Sequence, residues 1–456
     1  MLGFPICATP GQNLFNNPQE WTYFQRFCTY TVEQLSGLRE SEFWSRVVLQ
    51  AAQAEPSIRH AATAIGALDL MSLPERGDAE FAELRKQFAY REYQKAIVGV
   101  RQRLSTKDCD IRTRLIACVL FACFEAYHGN CETALKQIFA GVEMMEDHAK
   151  RIEELNKIPD RPRLQPVDNE FLQSFAQLEI QACSWGDQRS SHLHYERMLK
   201  CAEAAENMPA EFSGIKEAGF ILSMITLWGI HLRLSLRKLE SIVVPSFVRP
   251  TPFMESPVTS ELSRVIASFK QWNKAFDPLY RKSRSPRGQH LFEAATLLRV
   301  HFLGTLLWAA SGSPNTESYY RRYTKELKET VTLSKNLLRL VAEGSFSFDM
   351  RVILPLAVVG LNYRHRAVRR EIISILANLN RREAIWDASM MGKVMYWMAE
   401  IEEEGLGDED YVPEDGMARI LALKVNEPQR TVFVACSKGI RGFPGETVRM
   451  ETTLSW

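Results

Sequence analysis

The sequence predicts an all-α fold, a large irregular array of antiparallel helical hairpins with a small β hairpin near the C-terminus. Apolar residues recur at three- and four-residue steps from residue 20 onward, which is the period of helices half buried on a core. They make up 46% of the 456 residues, enough to bury a sizeable core. Strand-like alternation appears only at Thr431 to Ala435. No fixed repeat period is found, so a regular solenoid is not expected.

The first half of the chain predicts short amphipathic helices followed by longer ones. Glu55-Pro56 favours a helix start because proline fits the first helical turn, and Ala79 to Leu104 has one continuous amphipathic pattern. Leu115 to Phe124 is wholly apolar, which is typical of a helix buried on all sides. A corner at Gly129-Asn130 leads into Cys131 to Met145. These last segments are therefore predicted to form an antiparallel helical hairpin.

Composition divides the chain into an extension at residues 1–20, a helical body at residues 21–404 and a tail at residues 405–456. Within the body, residues 148–169 are charged and contain prolines, the composition of an exposed connector. Ser241 to Ser260 holds four prolines and is predicted to be a loop.

The most distinctive segment is Phe346 to Asp387. Its apolar run, Val352 to Leu361, is followed by a basic turn at Arg364 to Arg370 and then by a helix with one apolar face. No nucleophile stands with a base in this segment, so we predict a structural role for it.

The structural signature of this segment consists of Arg369, Arg370, Glu383 and Trp386. The arginines are expected to hold a corner by pairing with nearby carboxylates such as Glu371 and Glu383. Trp386 is expected to anchor the end of the pair of helices.

Charge and composition limit the classes of function. The net charge is +1, from 56 basic and 55 acidic side chains, so no global field draws the protein onto a polyanion. Nine irregularly spaced cysteines suggest reduced thiols in the nucleus or cytoplasm. The N-terminus lacks the features of a secretory signal. The most apolar helix candidate, Ala294 to Ala310, is shorter than the roughly 20 residues of a membrane span, so we expect a core helix and no membrane.

No motif for catalysis or cofactor binding is present. GxGxxG, GxxxxGK[ST], GxSxG and HExxH are all absent. His192 and His194 would diverge on a helix, while Cys118, Cys123 and Cys131 lie in or beside a highly apolar helix, where cysteine behaves as a small hydrophobe. We therefore predict no catalytic residue, no metal site and no cofactor.

Aromatic residues supply the best candidate for a ligand pocket. Large helical bodies with many aromatic residues enclose apolar cavities. The candidate lining residues are Trp185, Trp228, His301 and Trp308. Ordinary core packing is the alternative for all four, and the sequence does not decide between them.

Several segments together resemble the fungal-specific transcription factor regulatory region, the all-helical part that normally follows a six-cysteine binuclear zinc cluster. Phe43-Trp44 with Glu55-Pro56 is similar to its first helical pair. Leu115 to Met145 has its apolar helix ending in Phe-Glu and its turn at Gly-Asn, and Phe346 to Asp387 extends the similarity over most of residues 20–400. The resemblance implies a helical fold and a transcription regulator of the nucleus or cytoplasm.

Two departures from the family pattern bear on function. Cys7 is the one cysteine before Trp21, so the sequence lacks the zinc cluster that would place a helix in the major groove. Ala384 stands where the family's Arg-Glu-Gly-x-Trp signature has glycine. We therefore expect no direct sequence-specific DNA binding, and action through protein partners, either other transcription regulators or a second copy in a homodimer.

Three hypotheses remain open on the sequence alone. The first is a regulator that acts through partners and senses a small apolar molecule, in secondary metabolism. The second is a cofactor-independent enzyme of the cyclase or pericyclase type, which would use the helical cavity to fold an apolar substrate. The third is a truncated gene model, with the zinc cluster encoded upstream.

Overall fold

The computed structural model describes residues 14–36, 42–71, 79–106, 110–157, 168–236, 256–311, 322–340, 346–443 and 445–456. These ranges are mostly helical, so the all-α prediction is confirmed. The helices are α1 (Pro18–Arg26), α2 (Val32–Ser36), α3 (Leu49–Ala54), α4 (Pro56–Met71), α5 (Ala79–Ser105), α6 (Ile111–His128), α7 (Cys131–Asn156), α8 (Asn169–Trp185), α9 (Ser191–Glu206), α10 (Ile215–Ser235), α11 (Ser256–Ser283), α12 (Phe292–Ala310), α13 (Thr324–Leu338), α14 (Ile353–Asn362), α15 (Arg366–Ala377) and α16 (Ala388–Glu403).

Two small three-stranded sheets lie among the described residues of the C-terminal part. The strands are β1 (Phe346–Ser347), β2 (Arg382–Glu383), β3 (Trp386–Asp387), β4 (Ala418–Asn426), β5 (Thr431–Gly439) and β6 (Thr447–Ser455). In the first sheet β1 pairs parallel to β2, and β2 pairs antiparallel to β3.

The chain divides into two compact units. The first comprises Met1–Ser36 and Glu40–Phe171, and the second comprises Gly37–Arg39 and Leu172–Trp456. The predicted helical body at residues 21–404 therefore contributes to both units.

The first unit is built around α4, which packs against α1, α5 and α6. Gly66 lets α1 approach closely, because a Cβ at this position would lie 2.2 Å from the backbone oxygen of Tyr23. Three residues along, the buried carboxylate of Asp69 accepts hydrogen bonds from Arg26 at 2.6 Å and from Tyr127 at 2.8 Å. Its charge is thus paired, as burial of a carboxylate requires.

The predicted hairpin of α6 and α7 is confirmed. Asp110 caps α6 by accepting a hydrogen bond from Thr113 N, and the run Leu115 to Phe124 is buried. Gly129 ends α6 with a φ of +93°, and Asn130 caps α7. The tight corner follows from a left-handed glycine and a capping side chain that stand side by side in the sequence.

Two predicted loops differ from the structure or fall partly outside the described residues. Helix α7 continues to Asn156, so the first part of the connector predicted at residues 148–169 is helical, and residues 158–167 lie outside the described residues. The predicted loop Ser241 to Ser260 also falls largely outside them, and its last residues already belong to α11.

The second unit is built around α10 and α12, which are buried along most of their length. Ile215–Ser235 and Pro286–Ala310 are long and apolar enough to cross a membrane. However, 83% and 67% of their most apolar windows are buried inside the protein, as in core helices of soluble proteins. The apolar segment Ala294 to Ala310 is thus part of the core, as predicted.

The C-terminal sheet is larger than the predicted hairpin. Strand β5 lies in the centre, with β4 and β6 antiparallel on either side. Its alternating residues Val432, Val434 and Cys436 are buried on the face that packs against α16. The sequence pattern predicted part of β5. It missed β6, although Val448, Met450 and Leu454 alternate there with polar residues, because the side chains of this strand are largely exposed and the apolar alternation is short.

Candidate functional site

The carboxylate of Glu383 holds the start of α14. It accepts hydrogen bonds from the backbone N–H groups of Arg351 at 2.9 Å, Val352 at 3.2 Å and Ile353 at 3.0 Å. The first N–H groups of a helix have no partner within the helix, and a negative charge beside them is stabilising. Arg381 lies 3.3 Å from the same carboxylate. Glu383 is therefore a cap that comes from a distant part of the chain.

The predicted basic turn, Arg364 to Arg370, is helical from Arg366 onward as the start of α15, and it pairs with two consecutive carboxylates of α16. Arg369 is fully buried, and its Nη1 lies 2.5 Å from Glu402 Oε2. Arg370 is 65% exposed and reaches Glu403 at 2.6 Å. Burial alone would raise the pKa of Glu402, but the guanidinium groups of Arg364 and Arg369 hold it below its usual value.

These pairs correct the partners that the sequence predicted. Glu371 pairs with Lys335 at 2.8 Å, and Glu383 pairs with Arg381 and caps α14. The arginines of the turn instead hold α15 against α16. The sequence did not identify these partners because more than 30 residues separate the pairs.

Trp386 is a buried anchor in β3, directly before α16. Its ring is 1% exposed and meets the ring of Trp185 edge to face, with centroids 4.9 Å apart. Ala384, two residues earlier, has a φ of +48°, in the left-handed region that favours glycine. The glycine of the family pattern is thus explained by the backbone at this position.

An apolar cavity of about 40 Å³ lies inside the second unit, between α8, α10, α12 and α14. Its lining residues are Ile180, Ser184, Thr226, Ile230, His301, Gly304, Thr305, Trp308, Met350, Leu354, Pro355 and Val358. Two candidates from the sequence, His301 and Trp308, are among them. The other two have different contacts, since Trp185 packs on Trp386 and Trp228 Nε1 donates to Glu261 at 2.9 Å.

The polar groups of the cavity already donate to the backbone. The hydroxyls of Ser184, Thr226 and Thr305 each donate to a carbonyl of their own helix, at 2.7, 2.8 and 2.8 Å. His301 Nε2 lies 2.8 Å from the carbonyl oxygen of Arg351 and donates to it. The three hydroxyls and His301 Nε2 thus direct their hydrogens to the backbone, so the cavity suits a neutral apolar molecule better than an anion.

Arg233 fixes the wall formed by Trp308. Its guanidinium lies 4.1 Å from the centroid of the Trp308 ring, and its Nη2 donates to Trp308 O at 2.8 Å and to Ala309 O at 3.2 Å. A cation here satisfies the last carbonyls of α12. Burial lowers the pKa of Arg233 to about 9.

A buried polar cluster lies beside α8, on a different face of the helix from the cavity residues Ile180 and Ser184. Glu179 and Cys183 are one turn apart on α8 and share one face, and Asp187 follows just after the end of the helix. Two buried histidines, His194 of α9 and His231 of α10, complete it, with their Nδ1 atoms 3.1 Å apart. One ring must donate and the other accept, so at most one can be charged without breaking this bond.

Two arginines neutralise the carboxylates of the cluster. Arg189 lies 2.7 Å from Asp187 and 3.3 Å from Glu179, and Arg197 also contacts Glu179. Burial would raise the pKa of Glu179, but the Arg197 guanidinium and His231 hold it well below its usual value. Burial lowers the pKa of His194 to about 4.

The ligand atoms of Glu179, Cys183 and His231 lie within 4.8 Å of one another, close enough to hold a metal ion. The guanidinium groups of Arg189 and Arg197 contact the carboxylate of Glu179. Their positive charge opposes the binding of a metal cation there. The four-residue spacing of Glu179 and Cys183 on α8 is the one local signal of this cluster in the sequence, and it does not reveal the histidines from other helices. His192, which it considered with His194, is exposed.

Comparisons with known proteins give one informative result. Neither the curated proteins nor the solved structures include a match. The fungal specific transcription factor domain matches residues 22–398, which covers most of the chain and both units. The chain belongs to the family of the fungal specific transcription factor domain.

Proposed function

We propose that this transcription-regulator-like protein senses a small, neutral, apolar molecule in the cavity between α8, α10, α12 and α14. It passes the signal to protein partners, with DNA contact left to those partners. The family supports the regulatory role. The balanced charge of +1 supports indirect DNA contact, since free-standing DNA binders are usually basic. We place its action in the nucleus and in secondary metabolism.

The size of the cavity carries the sensing part of the proposal. A volume of about 40 Å³ has room for only about three water molecules, whereas ligand sites in proteins are roughly 300–1,000 Å³. A ligand must therefore bind a state in which the lining helices have moved apart. A ligand that prefers one of two states shifts the population between them, which is what a sensor requires.

The residues that line the cavity give less support to the alternative function, a cyclase or pericyclase. His301 is the one titratable side chain among the lining residues, and its Nε2 is committed to Arg351 O. The sensor is the better account of these observations.

A cavity-filling variant tests the proposal. Thr226→Leu adds volume at a buried lining position, and Thr296→Leu is the control, since Thr296 is equally buried on α12 but does not line the cavity. We expect farnesol, a neutral terpenoid alcohol, to raise the Tm of the wild type and of Thr296→Leu but not of Thr226→Leu. Dodecanoate, a charged chain, should leave all three unchanged.

Two outcomes contradict this expectation. An equal rise of Tm in Thr226→Leu would place the binding site elsewhere. A larger effect of dodecanoate than of farnesol would show that the site accepts anions.

A further inference from the structure

Strand β6 is a long, regular edge strand. Within the described part of the chain β5 is its one neighbouring strand, and all nine residues pair with β5 in a continuous register without a bulge. Proteins usually protect such edges with bulges, prolines, short strands or charged side chains, and of these β6 has only the charges of Arg449 and Glu451. The sequence TVRMETTLS contains no proline and is rich in residues that favour strands.

The free edge of β6 presents alternate backbone groups. Trp456 N–H donates to Arg430 O, and Ile440 N–H donates to Glu446 O, both at 3.1 Å. Even-numbered positions of this strand therefore face β5. Because backbone groups alternate along a strand, the N–H and C=O groups of Arg449, Glu451 and Thr453 point away from β5, and no other strand of the described residues pairs with them.

The side chains at this edge are complementary to themselves. Arg449 and Glu451 are exposed on the same face of the strand, with Arg449 Nε 2.5 Å from Glu451 Oε1. A second β6 that runs antiparallel about a two-fold axis through Met450 would place each Arg449 opposite Glu451 of the second copy. An axis through Glu451 would instead set like charges opposite one another, which is destabilising. Charge thus selects one register.

We propose that the protein forms a homodimer by antiparallel pairing of β6 with β6 of a second copy, centred on Met450. The outward backbone groups of the two strands then bond to each other and join the two sheets into one of six strands. Each carboxylate of Glu451 lies between two arginines, one from each chain. A two-fold interface uses the same patch on both chains. Strand β6 meets this requirement because Arg449 of one copy lies opposite Glu451 of the other.

Charge reversals test the register. Arg449→Glu and Glu451→Arg each place like charges across the axis, so each variant alone should be monomeric in light scattering after size-exclusion chromatography. Mixing the two in equal amounts restores opposite charges and should give a heterodimer, and the double variant should be a dimer. Lys424→Glu, an exposed charge reversal on β4, is the matched control and should stay dimeric.

A backbone variant tests the pairing independently of charge. Thr453→Pro removes an outward N–H and leaves the bonds to β5, a place where an edge strand tolerates proline. We expect a monomer with a Tm close to that of the wild type. A wild-type monomer at high micromolar concentration would overturn the proposal, as would a dimer that persists in Thr453→Pro and both single reversals.

Discussion

Ala384 shows how one residue can depart from a family pattern without changing the fold. Its φ of +48° is unfavourable for a residue with a Cβ, and its N–H donates to Ser347 O at 2.6 Å. Glu383 and Trp386 on either side are tied to the helix N-terminus and to Trp185. The surroundings therefore hold the alanine in a conformation that glycine adopts freely.

We predict that Ala384→Gly stabilises the protein by about 1 kcal/mol, because relief of the left-handed strain exceeds the entropy that glycine adds to the unfolded chain. Chemical denaturation measures the free energy of unfolding. Ala367→Gly, at an exposed helical position, is the control and should destabilise. A loss of stability in Ala384→Gly would show that the position is not strained.

His194 makes the stability of the fold depend on pH. Burial lowers its pKa from 6.5 to about 4, so below pH 6.5 the unfolded chain takes up a proton that the folded chain does not. Its contribution is fully present above pH 6.5 and is lost as the pH falls toward 4. The free energy of unfolding should drop by roughly 1 to 2 kcal/mol between pH 7 and pH 5 from this group.

The variant His194→Gln isolates this effect. Unfolding followed between pH 7 and pH 5 should show a shallower dependence than the wild type, whereas His192→Gln, at an exposed position, should match the wild type. Glu179 and Asp187 have lowered pKa values, so their contribution is lost mainly below this window. Identical slopes in all three proteins would exclude His194 as the source.

At the scale of elements, α14, α15 and α16 are joined by charges that come from distant parts of the chain. Glu402 accepts from Arg364 and Arg369 and also from the backbone N–H of Ala418 at 2.6 Å, which ties the start of β4 to the same point. Glu383 does the equivalent for the start of α14. The basic turn is thus an internal clamp.

The ion pairs of this clamp differ in burial. Arg364 and Arg369 are buried with Glu402, whereas Arg370 is exposed. Glu402→Gln leaves Arg364 and Arg369 buried without their counter-charge and should destabilise by about 3 to 5 kcal/mol. Arg370→Ala removes a pair with one exposed partner and should cost at most about 1 kcal/mol. Thermal and denaturant unfolding measure both. Equal losses in the two variants would contradict the distinction.

Local signals in the sequence predicted the elements that depend on local chemistry. Asp110, Gly129 and Asn130 set the ends of α6 and α7 through caps that act within four residues. The contact of His194 with His231 and the pairing of Arg369 with Glu402 join residues more than 30 positions apart. No local pattern contains such pairs, so the sequence did not predict them.

At the scale of the molecule, the cavity and the edge of β6 both lie in the second unit. The cavity offers a place for a neutral ligand, and β6 offers a place for a second copy. The family assignment spans residues 22–398 and so covers the cavity but not β6. The ligand and the dimer can therefore be tested separately.

The most direct measurement of the regulatory role is transcription from a reporter promoter to which the chain is tethered by an unrelated DNA-binding domain. We predict that the tethered chain changes reporter transcription relative to the DNA-binding domain alone, because it recruits protein partners. Farnesol should modulate the change in the wild type but not in Thr226→Leu. Reporter transcription equal to that of the DNA-binding domain alone, with the chain folded and present in the nucleus, would contradict the account.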